Sequence, residues 1–180
     1  GLVLPSFSFK KKSQINKKLK ISVVGCGGRG TGAAVQALRA DRNVELVALC
    51  DAFKNRLDGS YNAILNELDG EIEVKVKEKN KLVGFDSYKK AIDLCDVVIL
   101  ATPPGFRPDH FKYAVEKSKH IFMEKPVATD AHGVRKVLEA AKLVKEKKIN
   151  VVVGLQRRYQ LSYLDTVSYT HLRAHETPIN

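Results

Sequence analysis

Two rhythms of apolar and polar positions run along this chain. Short apolar runs at 21–24, 44–50, 96–101, 120–123 and 151–155 read as buried strands. Between them lie stretches with helical spacing at 31–40, 52–68, 87–94 and 108–117. A longer helix follows Asp130, whose carboxylate suits a helix start. The first helix is expected to bury Ala34, Val35 and Leu38. The last is expected to bury Val134, Val137, Leu138, Ala141 and Val144. The segment 71–77, EIEVKVK, alternates apolar and charged residues as an edge strand or hairpin would. Strands alternating with helices at this spacing imply an α/β protein with a doubly wound, mainly parallel sheet. Ligands of such sheets bind beyond the carboxyl ends of the strands, so the residues that follow strands carry the chemistry.

The first strand leads straight into Gly25-Cys26-Gly27-Gly28-Arg29-Gly30, and the second apolar run ends at Asp51, twenty-one residues after Gly30. A strand, a G-x-G-x-x-G turn, a helix and an acid at that distance make the fingerprint of a dinucleotide-binding Rossmann unit. Gly25 lets the chain turn out of the strand, Gly27 lets backbone approach a diphosphate, and Gly30 lets the helix pack closely on the strand. The helix start, with Gly28 in it, offers unpaired N–H groups and a positive dipole end to the anion, and Arg29 and Thr31 are candidates for further phosphate contacts. Asp51 is the acceptor for the adenosine ribose hydroxyls. Its charge opposes a 2′-phosphate, which favours NAD over NADP; Lys54 and Arg56 nearby soften that preference, so NADP stays possible.

Three further segments follow strands: Ala101-Thr102-Pro103-Pro104, Glu124-Lys125-Pro126 and Gln156-Arg157-Arg158-Tyr159. Together with GCGGRG, and above all through E-K-P, they resemble the glucose–fructose oxidoreductase/inositol dehydrogenase (Gfo/Idh/MocA) family of NAD(P)-dependent sugar oxidoreductases over about 20–159. The resemblance implies hydride transfer from a CH–OH group of a sugar or polyol. It implies that Lys125 is the catalytic residue, orienting the substrate hydroxyl and favouring the developing alkoxide, with a cis peptide before Pro126. It places Glu124, Lys125, Ala101, Thr102 and Pro103 against the cofactor, Lys125 beside the nicotinamide ribose, and His110, Arg157 and Tyr159 against the substrate. His110 matches a histidine of the loop after the fourth core strand, although 105–109 lengthens that loop. In the family a second, α+β domain supplies most of the substrate pocket and the acid–base pair. Nothing after Tyr159 matches that domain. The expectation is therefore a cofactor-binding domain over 20–160 that binds NAD without turnover, monomeric by itself and part of a homo-oligomer in a full-length protein.

Charge and cysteines change this picture little. The net charge of +11 is uneven: Lys10, Lys11, Lys12, Lys17, Lys18 and Lys20 put six cations into eleven residues. No aromatic residues interleave with them and no nucleic-acid motif occurs, so they read as a solvated linker. Cys26, Cys50 and Cys95 fit no metal spacing and read as small buried side chains. No apolar stretch approaches the roughly 20 residues that span a bilayer. The apolar start, 1–9, fits either the end of an export signal, which places the protein outside the cytoplasm, or a peripheral end of a cytoplasmic one. Positions 161–180 read as a tail foreign to the domain. His171 and His175 stand at helical i,i+4 spacing there, but no metal site is expected.

Two other functions stay open at this point. An NAD-dependent glycosidase of the same family would oxidise a sugar hydroxyl transiently and end with no net consumption of NAD. A non-catalytic Rossmann module would sense the NAD/NADH ratio, and for that Lys125 has no purpose.

Overall fold

The computed structural model describes residues 18–176, with side chains described as far as position 169. The 1–9 segment, most of the lysine cluster and the side chains of His171 and His175 lie outside the described residues. The strands are β1 (Leu19–Val24), β2 (Val44–Asp51), β3 (Lys81–Val83), β4 (Val97–Leu100), β5 (His120–Met123) and β6 (Val151–Val153). The helices are α1 (Gly28–Ala40), α2 (Lys54–Leu68), α3 (Ser87–Asp93), α4 (Arg107–Glu116), α5 (Ala131–Glu146) and α6 (Leu161–Glu176). All pairings are parallel, in the order β3-β2-β1-β4-β5-β6. This is the doubly wound dinucleotide-binding order, with its direction reversing between β1 and β4.

Helices cover both faces of the sheet. Ala33, Ala34, Val35 and Leu38 of α1 and Leu57, Ile64 and Leu68 of α2 pack against Ile21, Val23, Leu46 and Leu49. On the other face Ala91 and Ile92 of α3, Phe111, Ala114 and Val115 of α4, and Val137 and Ala140 of α5 pack against Val24, Val98, Leu100, Ile121 and Met123. The β1 and β4 strands have most of their residues buried from both sides, which is why β4 is apolar throughout and β1 carries only Lys20, at its less buried start, and the small Ser22 among its apolar residues.

Two expectations need correction. The 71–77 segment is not a strand; the edge strand is the short β3 that follows it. The alternation there is real, since Val74 and Val76 are buried and Glu73, Lys75 and Lys77 exposed. It records an extended segment lying on α1 and α2 rather than a ladder. The buried stripe of α5 is also turned: Val134 is 39% and Leu138 60% exposed, while Gly133, Val137 and Ala140 face inward. Gly133 sets the rotation. A Cβ there would lie 2.9 Å from the Ala128 methyl and 3.1 Å from the Pro108 ring, so helix and loop meet at the one residue without a side chain. Asp130 caps α5 as expected, accepting from the Gly133 N–H at 2.6 Å. Over the last segment α6 is helical, with its described side chains exposed.

Candidate functional site

The carboxyl ends of five strands stand in one row, and a run of hydrogen bonds steps along it. Gly25 N donates to Cys50 O at 2.8 Å, Ala101 N to Val24 O at 2.8 Å, Glu124 N to Leu100 O at 3.0 Å and Gly154 N to Met123 O at 2.9 Å. The row runs Asp51, Gly25, Ala101, Glu124, Gly154, so the glycine turn is flanked by the acid on one side and E-K-P on the other. The first residue past β1, β4, β5 and β6 is locked by its neighbour's backbone, which fixes the side chains that follow.

Backbone sterics require a glycine at two of these positions. Gly25 has φ +99°, and a Cβ on it would stand 2.6 Å from the backbone nitrogen of Thr102. A Cβ on Gly30 would stand 2.0 Å from Gly25 O. Above Gly27 and Gly28 the opposite holds, because an added Cβ would meet nothing within 4 Å. That open space over the start of α1 is the cradle a diphosphate needs. The first bond within the helix is Thr31 N to Gly27 O at 2.9 Å, so the N–H groups of Gly28, Arg29 and Gly30 remain for an anion. The Thr31 hydroxyl is engaged elsewhere, donating to Gly27 O at 3.0 Å and sharing a hydrogen bond with Ser60 at 2.7 Å.

A cavity of 480 Å³ adjoins this cradle, and Gly25, Gly27, Asp51, Ala101, Thr102, Pro103 and His110 are among the residues that line it. The Asp51 carboxylate is held open at the end of β2, where it accepts from Cys26 N at 2.8 Å and Phe53 N at 3.0 Å. Arg56 lines the same cavity, whereas Lys54 pairs with Asp58 at 2.6 Å. An aromatic wall that sequence patterning missed completes it. Phe85 and Phe106 meet at 5.9 Å between ring centroids, and Tyr88 lies 4.2 Å from the His110 ring. These residues come from separate loops and helices, and no single stretch of sequence marks them as one surface.

His110 is 6% exposed, and its Nδ1 is hydrogen-bonded to the Thr102 hydroxyl at 3.1 Å. Burial pushes its pKa down to about 4, with Asp109 opposing and Arg107 reinforcing the shift. The ring is therefore neutral at pH 7. The consequence for stability has a definite sign. Between pH 6.5 and about 4 the unfolded chain takes up a proton that the folded chain refuses. Stability present above pH 6.5 is accordingly lost as pH falls toward 4, by about 3 kcal/mol at the full shift. Urea unfolding at pH 7 and pH 4.5 is expected to show this loss, and His110→Gln is expected to flatten it. An equally steep loss in the variant would assign the acid sensitivity to other groups.

On the far side of the cradle Arg29 Nε donates to Glu124 Oε1 at 2.6 Å. Glu124 is 6% exposed, and its carboxylate lies over Gly154, where a Cβ would approach Oε1 to 2.6 Å. Arg29 thus ties the nucleotide turn to E-K-P. Lys125 is exposed and the Lys125–Pro126 peptide is cis. Lys125 has no hydrogen bond or ion pair among the described residues. Arg157 and Tyr159 do not line the cavity; they sit on a 3-10 turn (Gln156–Arg158) and just after it, with the Arg157 guanidinium 5.1 Å from the Tyr163 ring centroid. All three thiols are buried, and burial pushes Cys26 up to about 12 and Cys50 and Cys95 up to about 11, which keeps them protonated.

The family model described as oxidoreductase family, NAD-binding Rossmann fold, matches residues 19–155. The chain belongs to the Gfo/Idh/MocA oxidoreductase family. Its relatives include the inositol 2-dehydrogenase of Salmonella typhimurium, 27% identical over 146 residues that make up 81% of this chain and 39% of that enzyme. The inositol 2-dehydrogenase of Rhizobium meliloti is 28% identical over 149 residues, 81% of this chain and 38% of that one. This member of the family therefore spans about two fifths of the length of the curated relatives it matches. Its fold is that of the scyllo-inositol dehydrogenase of Lactobacillus casei, solved with bound NAD(H) and scyllo-inositol. The TM-score is 0.65 at 22% identity, over 87% of this chain and 42% of that one. The myo-inositol 2-dehydrogenase of Lactobacillus plantarum aligns with a TM-score of 0.63 at 25% identity, over 86% and 41%. The domain is an NAD-binding Rossmann domain, and the open space over Gly27 and the carboxylate of Asp51 fit that cofactor. Among the described residues no helix is long and apolar enough to cross a membrane.

Proposed function

We propose that this Gfo/Idh/MocA chain is the cofactor-binding part of an NAD-dependent dehydrogenase acting on a secondary alcohol of a polyol of the inositol type. The observation that carries the reading is the row at the sheet edge. An anion cradle lies between a ribose-binding carboxylate and an exposed lysine, with Arg29 and Glu124 joining cradle and lysine. When bound, NAD supplies the hydride acceptor. The chain's own residues do the rest. The amides at the start of α1 hold the diphosphate, and Asp51 takes the ribose hydroxyls. Thr102 and Pro103 line the groove toward the nicotinamide. Lys125 meets the substrate hydroxyl, steadies the negative charge that grows on its oxygen and helps its proton leave. Arg157 and Tyr159 stand at the next strand end, where a polyol would reach. His110, neutral and bonded to Thr102, lines the cavity and is a further candidate for the substrate. The working domain is 20–160, with 1–19 as a leader or linker and 161–180 as an appendage. Residues 1–180 alone bind NAD without oxidising a polyol.

Calorimetry tests this directly. NAD is expected to bind with a Kd on the order of micromolar or weaker, and NADP more weakly. No heat and no thermal stabilisation at millimolar NAD would sink the reading, and robust turnover of myo-inositol by the 180 residues would refute binding without oxidation.

A further inference from the structure

Arg107 is the most unusual side chain in the domain. It opens α4, is 3% exposed, and forms no ion pair with a carboxylate among the described residues. Its guanidinium reaches backbone carbonyls at two strand ends instead. Nη2 donates to Thr102 O, just past β4; Nη1 donates to Glu124 O at 2.7 Å and to Pro126 O, just past β5. Its Nε is buried without a partner. Burial lowers its pKa, and the Glu124 charge only partly offsets that. Taking a guanidinium out of water is costly, and an apolar side chain would fill the same space more favourably. A planar fork, however, can hold several carbonyl oxygens of two separate turns in one fixed arrangement, which neither an apolar side chain nor a lysine can do. The Glu124 and Pro126 carbonyls bracket Lys125 in the chain, so the residue between them is held at both sides.

We propose that Arg107 is a positioning residue: it ties the turn after β4 to the E-K-P turn and so fixes where Lys125 stands relative to the nicotinamide half of the NAD groove. This inference rests on the dehydrogenase reading above. Arg107 lines the same cavity as Gly25 and Gly27, but its hydrogen bonds go to the two turns and not to the diphosphate cradle.

The test is titration of the 180-residue chain and its variants with NAD and with ADP, which lacks the nicotinamide half. Arg107→Met and Arg107→Lys are each expected to weaken NAD binding at least about tenfold while leaving ADP within about twofold. Lys125→Met is expected to weaken NAD to a similar degree. Adding Arg107→Met to it should cost little more, because one residue acts through the other. Equal losses for NAD and ADP, additive losses in the double variant, wild-type NAD binding by Arg107→Lys, or loss of cooperative unfolding in both Arg107 variants would each overturn the proposal in favour of a staple that only holds the fold. Failure of the unsubstituted chain to bind NAD would instead sink the dehydrogenase reading itself.

Discussion

Gly30→Ala is expected to destabilise the domain by about 3 kcal/mol or more and to abolish measurable NAD binding. The new methyl would stand 2.0 Å from Gly25 O, 3.2 Å from the Gly25 carbonyl carbon and 3.3 Å from the Ala101 methyl. Two of these are backbone atoms at the end of β1, and Gly25 itself is pinned by its bond to Cys50 O at 2.8 Å. No flexible side chain can yield, so α1 must lift away from the strand. Lifting it moves the N–H groups of Gly28, Arg29 and Gly30 out of their common aim, and the space over Gly27 loses its shape. Gly32→Ala is the matched control, since its methyl would meet nothing within 4 Å. There the usual helical gain of about 0.5–1 kcal/mol should appear, with NAD binding retained. Urea unfolding and NAD titration of the two variants check the pair. Comparable behaviour of both would mean that the close packing of α1 on β1 does not set the cradle.

The contrast between these two glycines shows why the cradle was legible in sequence. Its chemistry lies in one continuous stretch, and each requirement leaves a local mark: no side chain at Gly25, Gly27 and Gly30, and an acid at the end of the next strand. The strand-end segments were legible for the same reason, since each follows an apolar run. What escaped was chemistry assembled from distant pieces. Nothing in the sequence singles out Arg107, just ahead of the helical pattern at 108–117, and only the fold shows that it is buried between two strand ends. Phe85 and Phe106 are isolated aromatics in the sequence and neighbours in the structure. Gly154 reads as a strand end, while its role is to leave room for the Glu124 carboxylate. The errors in the elements have a common cause too. Alternation at 71–77 and the i,i+4 stripe of α5 report which side chains are apolar, not what lies opposite them. At 71–77 the opposite surface is a pair of helices rather than a strand, and in α5 a glycine contact outweighs two larger apolar residues.

Removing the acid at the end of β2 should give the other large effect. Asp51→Ala is expected to weaken NAD at least a hundredfold and to erase most of the preference against NADP. The carboxylate has two tasks. Within the fold it accepts from Cys26 N at 2.8 Å and from Phe53 N at 3.0 Å. Cys26 is buried, so its N–H would be left without an acceptor, at a cost of about 1–3 kcal/mol in stability. Toward the ligand, in the proposed reading, it offers charged acceptors to two ribose hydroxyls. Each such bond contributes roughly 1.5–3 kcal/mol, so losing both accounts for a factor of a hundred or more. The same charge repels a 2′-phosphate in NADP, and alanine removes that repulsion. Arg56 lines the same cavity and would then face the phosphate unopposed. NADP should therefore lose much less affinity than NAD, and the ratio of the two dissociation constants should approach one. Parallel titrations of the wild type and Asp51→Ala with both cofactors measure that ratio. If the variant kept its NAD affinity within threefold, the ribose would not be seated at the end of β2, and the order of subsites along the strand row would have to be redrawn.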